Sequence, residues 1–161
     1  MAGEGKSASE LFEELQASVR AATEGDRSES ALVERALDAA LTDDLEERAW
    51  ALVTLGGVLS VLGHFDQALD ALRTAIRTTR SNESRVAALI TAAAIRCDQG
   101  EFEDAARIGV VIENNTGEAH LLRLLGQVFL RTADLAGSEA LQAQGRRCLE
   151  RAELEEAFAN A

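Results

Sequence analysis

The 161-residue chain contains no proline and no tyrosine, and aromatic residues make up only 4% of it. Without proline nothing removes a helical amide donor, and the usual punctuation between helices is missing too. Ala and Leu supply most of the 47% hydrophobic residues, a composition that favours helix over sheet. Basic residues are outnumbered 28 to 16, and the net charge of −12 argues against a nucleic-acid backbone or an anionic membrane as partner. No apolar run approaches the length of a membrane span. The opening Met1-Ala-Gly-Glu-Gly-Lys-Ser is polar with no apolar segment behind it, so no signal peptide and a reducing cytoplasm are expected. The only cysteines, Cys97 and Cys148, lack metal-ligand spacing and sit among apolar neighbours, as small buried hydrophobes do.

Chemistry is scarce as well. His64 and His120 are the only histidines, and they form no His-x-x-x-His pair. Cys97 and His120 could approach across neighbouring helices, but no third group is evident to orient them. Gly56-Gly57 has no lysine-serine ending and is not a phosphate loop. No catalytic residue, metal or cofactor is expected.

What is present is periodicity. At 161 residues the chain is long enough for one domain with a real core. Between Ala49 and Ala75, Leu52, Leu55, Val58, Leu59 and Leu62 recur at three- and four-residue steps, and Phe65, Ala68, Leu69, Leu72 and Ile76 repeat the pattern after Gly63-His64-Phe65. Two amphipathic helices folded back on each other are expected, with Gly56, Ala68 and Ala75 letting their backbones approach. Gly100, Phe102 and Ala105 repeat Gly63, Phe65 and Ala68 at an offset of 37, with the extra length assigned to the Ser81–Ser84 turn. Leu122-x-x-Leu125-Gly126 repeats Leu52-x-x-Leu55-Gly56 at an offset of 70, with Ala133-Asp134-Leu135 in place of the glycine–aromatic turn.

Leu-x-x-Leu-Gly followed by Gly-x-Phe-x-x-Ala resembles a tetratricopeptide repeat, in two good copies and a degenerate third. The resemblance implies an all-α fold of antiparallel helical hairpins, stacked as a short right-handed solenoid with helical caps. The expected layout is a disordered tail over residues 1–8 and a single domain over 9–161. That domain comprises a hairpin at 9–48, repeats at 49–82 and 83–117, a degenerate repeat at 118–145 and a C-terminal cap helix at 146–161. The first hairpin, capped at Ser9, is either a degenerate repeat or a cap on the stack; Asp43 is the expected N-cap of the central hairpin.

In proteins of this kind the first helix of each hairpin lines a concave groove. The corresponding residues here are Trp50, Val53, Gly57 and Val61, then Ala87, Ile90, Ala94 and Cys97, then His120, Arg123, Gln127 and Arg131. The last four also follow from the residues alone. Leu121, Leu122, Leu125, Val128 and Phe129 take the buried side of their helix and leave these as a polar stripe. Trp50 is either an exposed anchor or packs against Leu37 or Leu41. Val53 and Gly57 stand where a carboxylate-gripping lysine and asparagine are expected in chaperone-binding relatives, which disfavours that activity. The expected function is a protein–protein interaction module, an adaptor or regulator that binds a peptide or helix with apolar anchors and an acidic group. The alternative is a chaperone or assembly subunit, and an empty apolar groove also makes a homo-oligomer conceivable. Residues 1–48 carry 13 acids against 5 bases and form the acidic end, suited to solubility or to a basic partner.

Overall fold

The helices recur at a nearly constant interval along the described residues. The computed structural model describes residues 5–160, and among them it contains eight helices and no strand. The helices are α1 (Ala8–Thr23), α2 (Arg27–Ala40), α3 (Leu45–Val61), α4 (Phe65–Thr78), α5 (Asn82–Asp98), α6 (Phe102–Asn115), α7 (Ala119–Ala136) and α8 (Glu139–Ala159). The first helices of the four hairpins begin at residues 8, 45, 82 and 119, so each is 37 residues after the last. The second helices begin at 27, 65, 102 and 139. The α1–α2 hairpin therefore keeps the register of the other three to within one residue. Of the disordered tail expected over residues 1–8, residues 1–4 lie outside the described residues, while Ser7 caps α1 and Ala8 begins it.

Local chemistry explains the register. Ser7, rather than Ser9, caps α1 in a reciprocal capping box with Glu10, and Asp44, rather than Asp43, caps α3 through the amides of Glu46 and Glu47. Thr42, Thr79 and Thr116 stand 37 residues apart at the junctions between hairpins. Each threonine hydroxyl accepts from the amide two residues on: Asp44 at 3.2 Å, Ser81 at 2.9 Å and Glu118 at 3.1 Å. Inside the hairpins, Gly63, Gly100 and Gly137 adopt φ of 84°, 76° and 69°, the left-handed conformation that ends a helix at little cost only in glycine. Gly137 also corrects the third hairpin. Ala133-Asp134-Leu135 is not its turn, because α7 continues one further turn to Ala136. Residues 146–161 are not a separate cap helix either, since α8 runs unbroken from Glu139 to Ala159. The length beyond a regular repeat does not sit in the Ser81–Ser84 turn, because α5 is already helical at Asn82.

The chain divides into two compact units, and the division falls inside α5, between Ala88 and Leu89. In the first unit α2 packs on α3, α3 packs on α4, and α1 packs on both α2 and α4, so the four helices close a ring. In an open stack α1 would lie beside α3, so the first hairpin departs here from the solenoid pattern. Leu52, Leu55, Leu59, Ala68 and Leu72 are buried as the periodicity predicts. A Cβ on Gly56 would come within 2.7 Å of Leu72, so the missing side chain is what admits α4. The first turn of α3 is tied to the α4–α5 junction by Glu46, whose carboxylate accepts from the Arg80 amide at 2.8 Å and the Thr79 hydroxyl at 2.7 Å. Those bonds hold its pKa below the usual carboxylate range, the Arg80 amide contributing most.

In the second unit α8 lies along α7 and also touches α6. Gly126 and Gly145 face each other where α7 and α8 cross. A Cβ on either would meet the other's carbonyl oxygen, at 2.9 Å and 3.1 Å respectively. Gly109 of α6 leaves room for the Phe129 ring and the Gln144 amide, each 2.5 Å from where its Cβ would stand. Gln144 donates to the Ala106 carbonyl and to Glu113, Arg147 grips Glu113 with two bonds of 3.0 Å, and Arg151 donates to the carbonyls of Glu113 and Thr116. Burial works to raise the Glu113 pKa, but Arg147 and Gln144 outweigh it and keep the carboxylate below its usual range.

Two outcomes follow. Gly126→Ala is expected to destabilise the protein by about 1–3 kcal/mol, because the new methyl meets backbone that cannot swing aside. Gly57→Ala, whose Cβ would meet nothing within 4 Å, is expected to be neutral or to stabilise by up to about 1 kcal/mol. Urea unfolding of the pair checks this, and equal destabilisation would mean that the α7–α8 crossing is looser than described. A carboxylate whose folded pKa is depressed adds stability above its unfolded pKa and loses it as pH falls through the folded value. Glu46→Gln should therefore be less stable at neutral pH and show a shallower fall in stability towards acid, read as unfolding midpoints across a pH series.

Candidate partner-binding surface

The outer stripe of α3 is apolar although the helix already buries Leu52, Leu55 and Leu59 on its inner side. Such two-sided apolarity suits a helix covered on both faces, yet Val61 is 88% exposed and Trp50 is 42% exposed. Val53 and Gly57 are half-buried between them. Leu37, one of the two packing partners considered for Trp50, is fully buried, while Leu41 is exposed. Part of the indole is covered and part faces solvent.

On α5, Ala87 and Ala94 are half-buried, whereas Ile90 and Cys97 are buried. Ile90 is thus a core residue rather than an open anchor, a correction to the expected groove wall. Its place one position from Leu89 explains the misreading, since either residue satisfies a three- to four-residue step. Cys97 is buried but borders a hollow. Two adjoining hollows of about 230 and 240 Å³ share Asp98, Arg131 and Thr132 as walls. Ala94 and Val128 complete the first, and Cys97, Phe102 and Leu135 help to line the second. Ala94, Cys97 and Arg131 of the expected set are therefore brought together.

The α7 stripe differs from the expected one at one position. His120, Gln127 and Arg131 are exposed, but Arg123 leans onto α8 and pairs with Glu156 at 2.5 Å. Its place on the open side is taken by Leu124, 46% exposed, and the stripe continues to Leu135, 84% exposed. Arg131 forms no ion pair among the described residues. The open face of α7 is thus His120, Leu124, Gln127, Arg131 and Leu135, less basic and more apolar than the spacing alone suggested. Asp98, Phe102 and Leu135 were missed by sequence reasoning. Asp98 could have been found as the residue one turn beyond Ala94 on its helix. Phe102 had been assigned to the repeat motif and Leu135 to a turn.

Burial, the larger influence, raises the Cys97 thiol above its usual pKa, with neighbouring Asp98 adding to it and Thr132 opposing. Burial first, and Glu113 next, push Cys148 up to about 12. Among the described residues no three His, Cys, Asp or Glu side chains gather closely enough to hold a metal ion, and no helix is long and apolar enough to cross a membrane. Comparison with family models, curated proteins and solved structures finds no match to this chain.

The thiols supply a check on these placements. In the native protein at mildly alkaline pH, neither Cys97 nor Cys148 should react with a thiol-specific disulfide reagent until denaturant is added. Rapid labelling of Cys97 without unfolding would show that the hollow is open down to its sulfur.

Proposed function

We propose that the chain is a non-catalytic, tetratricopeptide-like interaction module that binds a peptide or helix of a partner protein in the cytoplasm. The single observation that carries this reading is the pair of hollows beside α7. Their lining mixes apolar side chains, Ala94, Val128, Phe102 and Leu135, with Asp98, Thr132 and Arg131, and Arg131 forms no ion pair among the described residues. Leu124, 46% exposed, and Leu135, 84% exposed, continue the same face of α7 beside Arg131. The 37-residue recurrence of hairpins supports the repeat character, and Val128 and Leu135 are the apolar anchors that the hollows offer.

The partner segment is read as amphipathic, with aliphatic anchors and an acidic group for Arg131. Arg123 drops out of that role because Glu156 already neutralises it. Apolar contacts should supply most of the affinity, and they are insensitive to salt. The Arg131 contact is exposed and should contribute no more than about 1 kcal/mol, weakening as salt is added.

Affinity capture from native cells with the full chain tests the reading. A partner retained by the wild type should be depleted by Leu135→Ser at every salt concentration. Arg131→Glu should lower its recovery mainly at low salt. Equal recovery with both variants would place the binding surface elsewhere, with the acidic face of residues 1–48 as the next candidate.

A further inference from the structure

On its outer side, α8 carries large apolar side chains. It runs for 21 residues where α2, α4 and α6 each run for 14. Its last turns leave Leu154 60% exposed and Phe158 77% exposed. Glu150, Leu154 and Phe158 follow one another at four-residue steps and so share one side of the helix. Glu150 is exposed and forms no ion pair among the described residues. Glu156, by contrast, is held by Arg123, and Glu155 lies 3.9 Å from Arg151. The end of α8 therefore presents an acid followed by two large apolar side chains along one line.

The hollow beside α7 presents the complement, a cation at Arg131 followed by the apolar side chains of Leu135 and Phe102. We infer that the end of α8 in one copy of the chain docks in this hollow of a second copy. Leu154 and Phe158 then sit against Phe102 and Leu135, and Glu150 faces Arg131. Asp98, on the rim of the same hollow, repels an acid and so favours the orientation that puts Glu150 on the Arg131 side. The α8 end does not reach the hollow of its own copy. The Arg123–Glu156 pair fixes it near the start of α7, and Arg131 lies eight residues on, about 12 Å along the helix. This inference rests on the reading of the hollow as a docking site and adds the occupant. With a net charge of −12 on each copy, the association is weak and depends on concentration.

Sedimentation of the 161-residue chain from about 1 μM to about 1 mM tests it. The expected result is a mass that rises above the monomer within that range. Leu154→Ser with Phe158→Ser should remain monomeric throughout. Arg131→Glu and Glu150→Arg should each weaken association by about tenfold. Both charge changes in one chain should restore it, and because both side chains are exposed the fold is retained, as far-UV spectra will check. A wild type that stays monomeric overturns the inference, as does association that survives loss of Leu154 and Phe158. Failure of the charge-reversed double variant to recover overturns the facing of Glu150 and Arg131. A monomeric protein that still captures a partner through Arg131 would overturn self-docking and leave the proposed function standing.

Discussion

Helix backbones approach most closely here where a side chain is missing, and much else in the structure depends on those approaches. At the α7–α8 crossing, Gly126 and Gly145 bring two backbones so near that each carbonyl occupies the space the other's Cβ would need. That contact sets α8 at the depth from which Gln144, Arg147 and Arg151 reach the end of α6. Gly109 extends the principle to α6, since the Phe129 ring fills the place of its side chain. In the first unit Gly56 does the same for Leu72 of α4. Dense packing makes such positions intolerant, because a single added methyl must displace backbone or a ring rather than a flexible chain.

The acids have a similar economy. Several of the 28 are spent on local backbone work, with Asp26 and Asp44 as N-caps, Glu10 in a capping box and Glu46 at a junction. Others neutralise the cations, as Glu34 does for Arg20, Glu113 for Arg147 and Glu156 for Arg123. Arg131 is one of several cations with no ion pair among the described residues, and it stands apart because it also lines the two hollows beside α7. The candidate surface is thus defined by what the rest of the chain leaves unsatisfied.

Helical content and most of the core were legible in the sequence, because Leu and Ala at three- and four-residue steps in a chain without proline leave few alternatives. Leu52, Leu55, Leu59, Leu122, Leu125 and Phe129 are all buried as their spacing implied. The third hairpin was misread for a definite reason. The Leu-x-x-Leu-Gly motif stands one turn earlier in α7 than in α3, so aligning the motifs moved the expected turn from Gly137 to Ala133. The threonines at 42, 79 and 116 and the glycines at 63, 100 and 137 carried the true period. They are turn signals, and a search built on apolar stripes passes over them. Arg123 could not have been placed, since its partner Glu156 lies 33 residues away on another helix. The exposure of Leu154 and Phe158 was equally hidden, because alternation with acids reads as a solvated end.

The ring of the first unit has a consequence for how the chain reaches its native state. Hairpins joined by turns of a few residues form quickly, since little chain entropy is lost in closing them. The packing of α1 on α4 is of another kind: it joins elements some fifty residues apart in sequence, with both α2 and α3 between them. Such a contact is rewarded only after α2, α3 and α4 have assembled. The α1–α4 contact is then the last of its unit to form and the first to be lost, which uncovers α4 along the side that held α1.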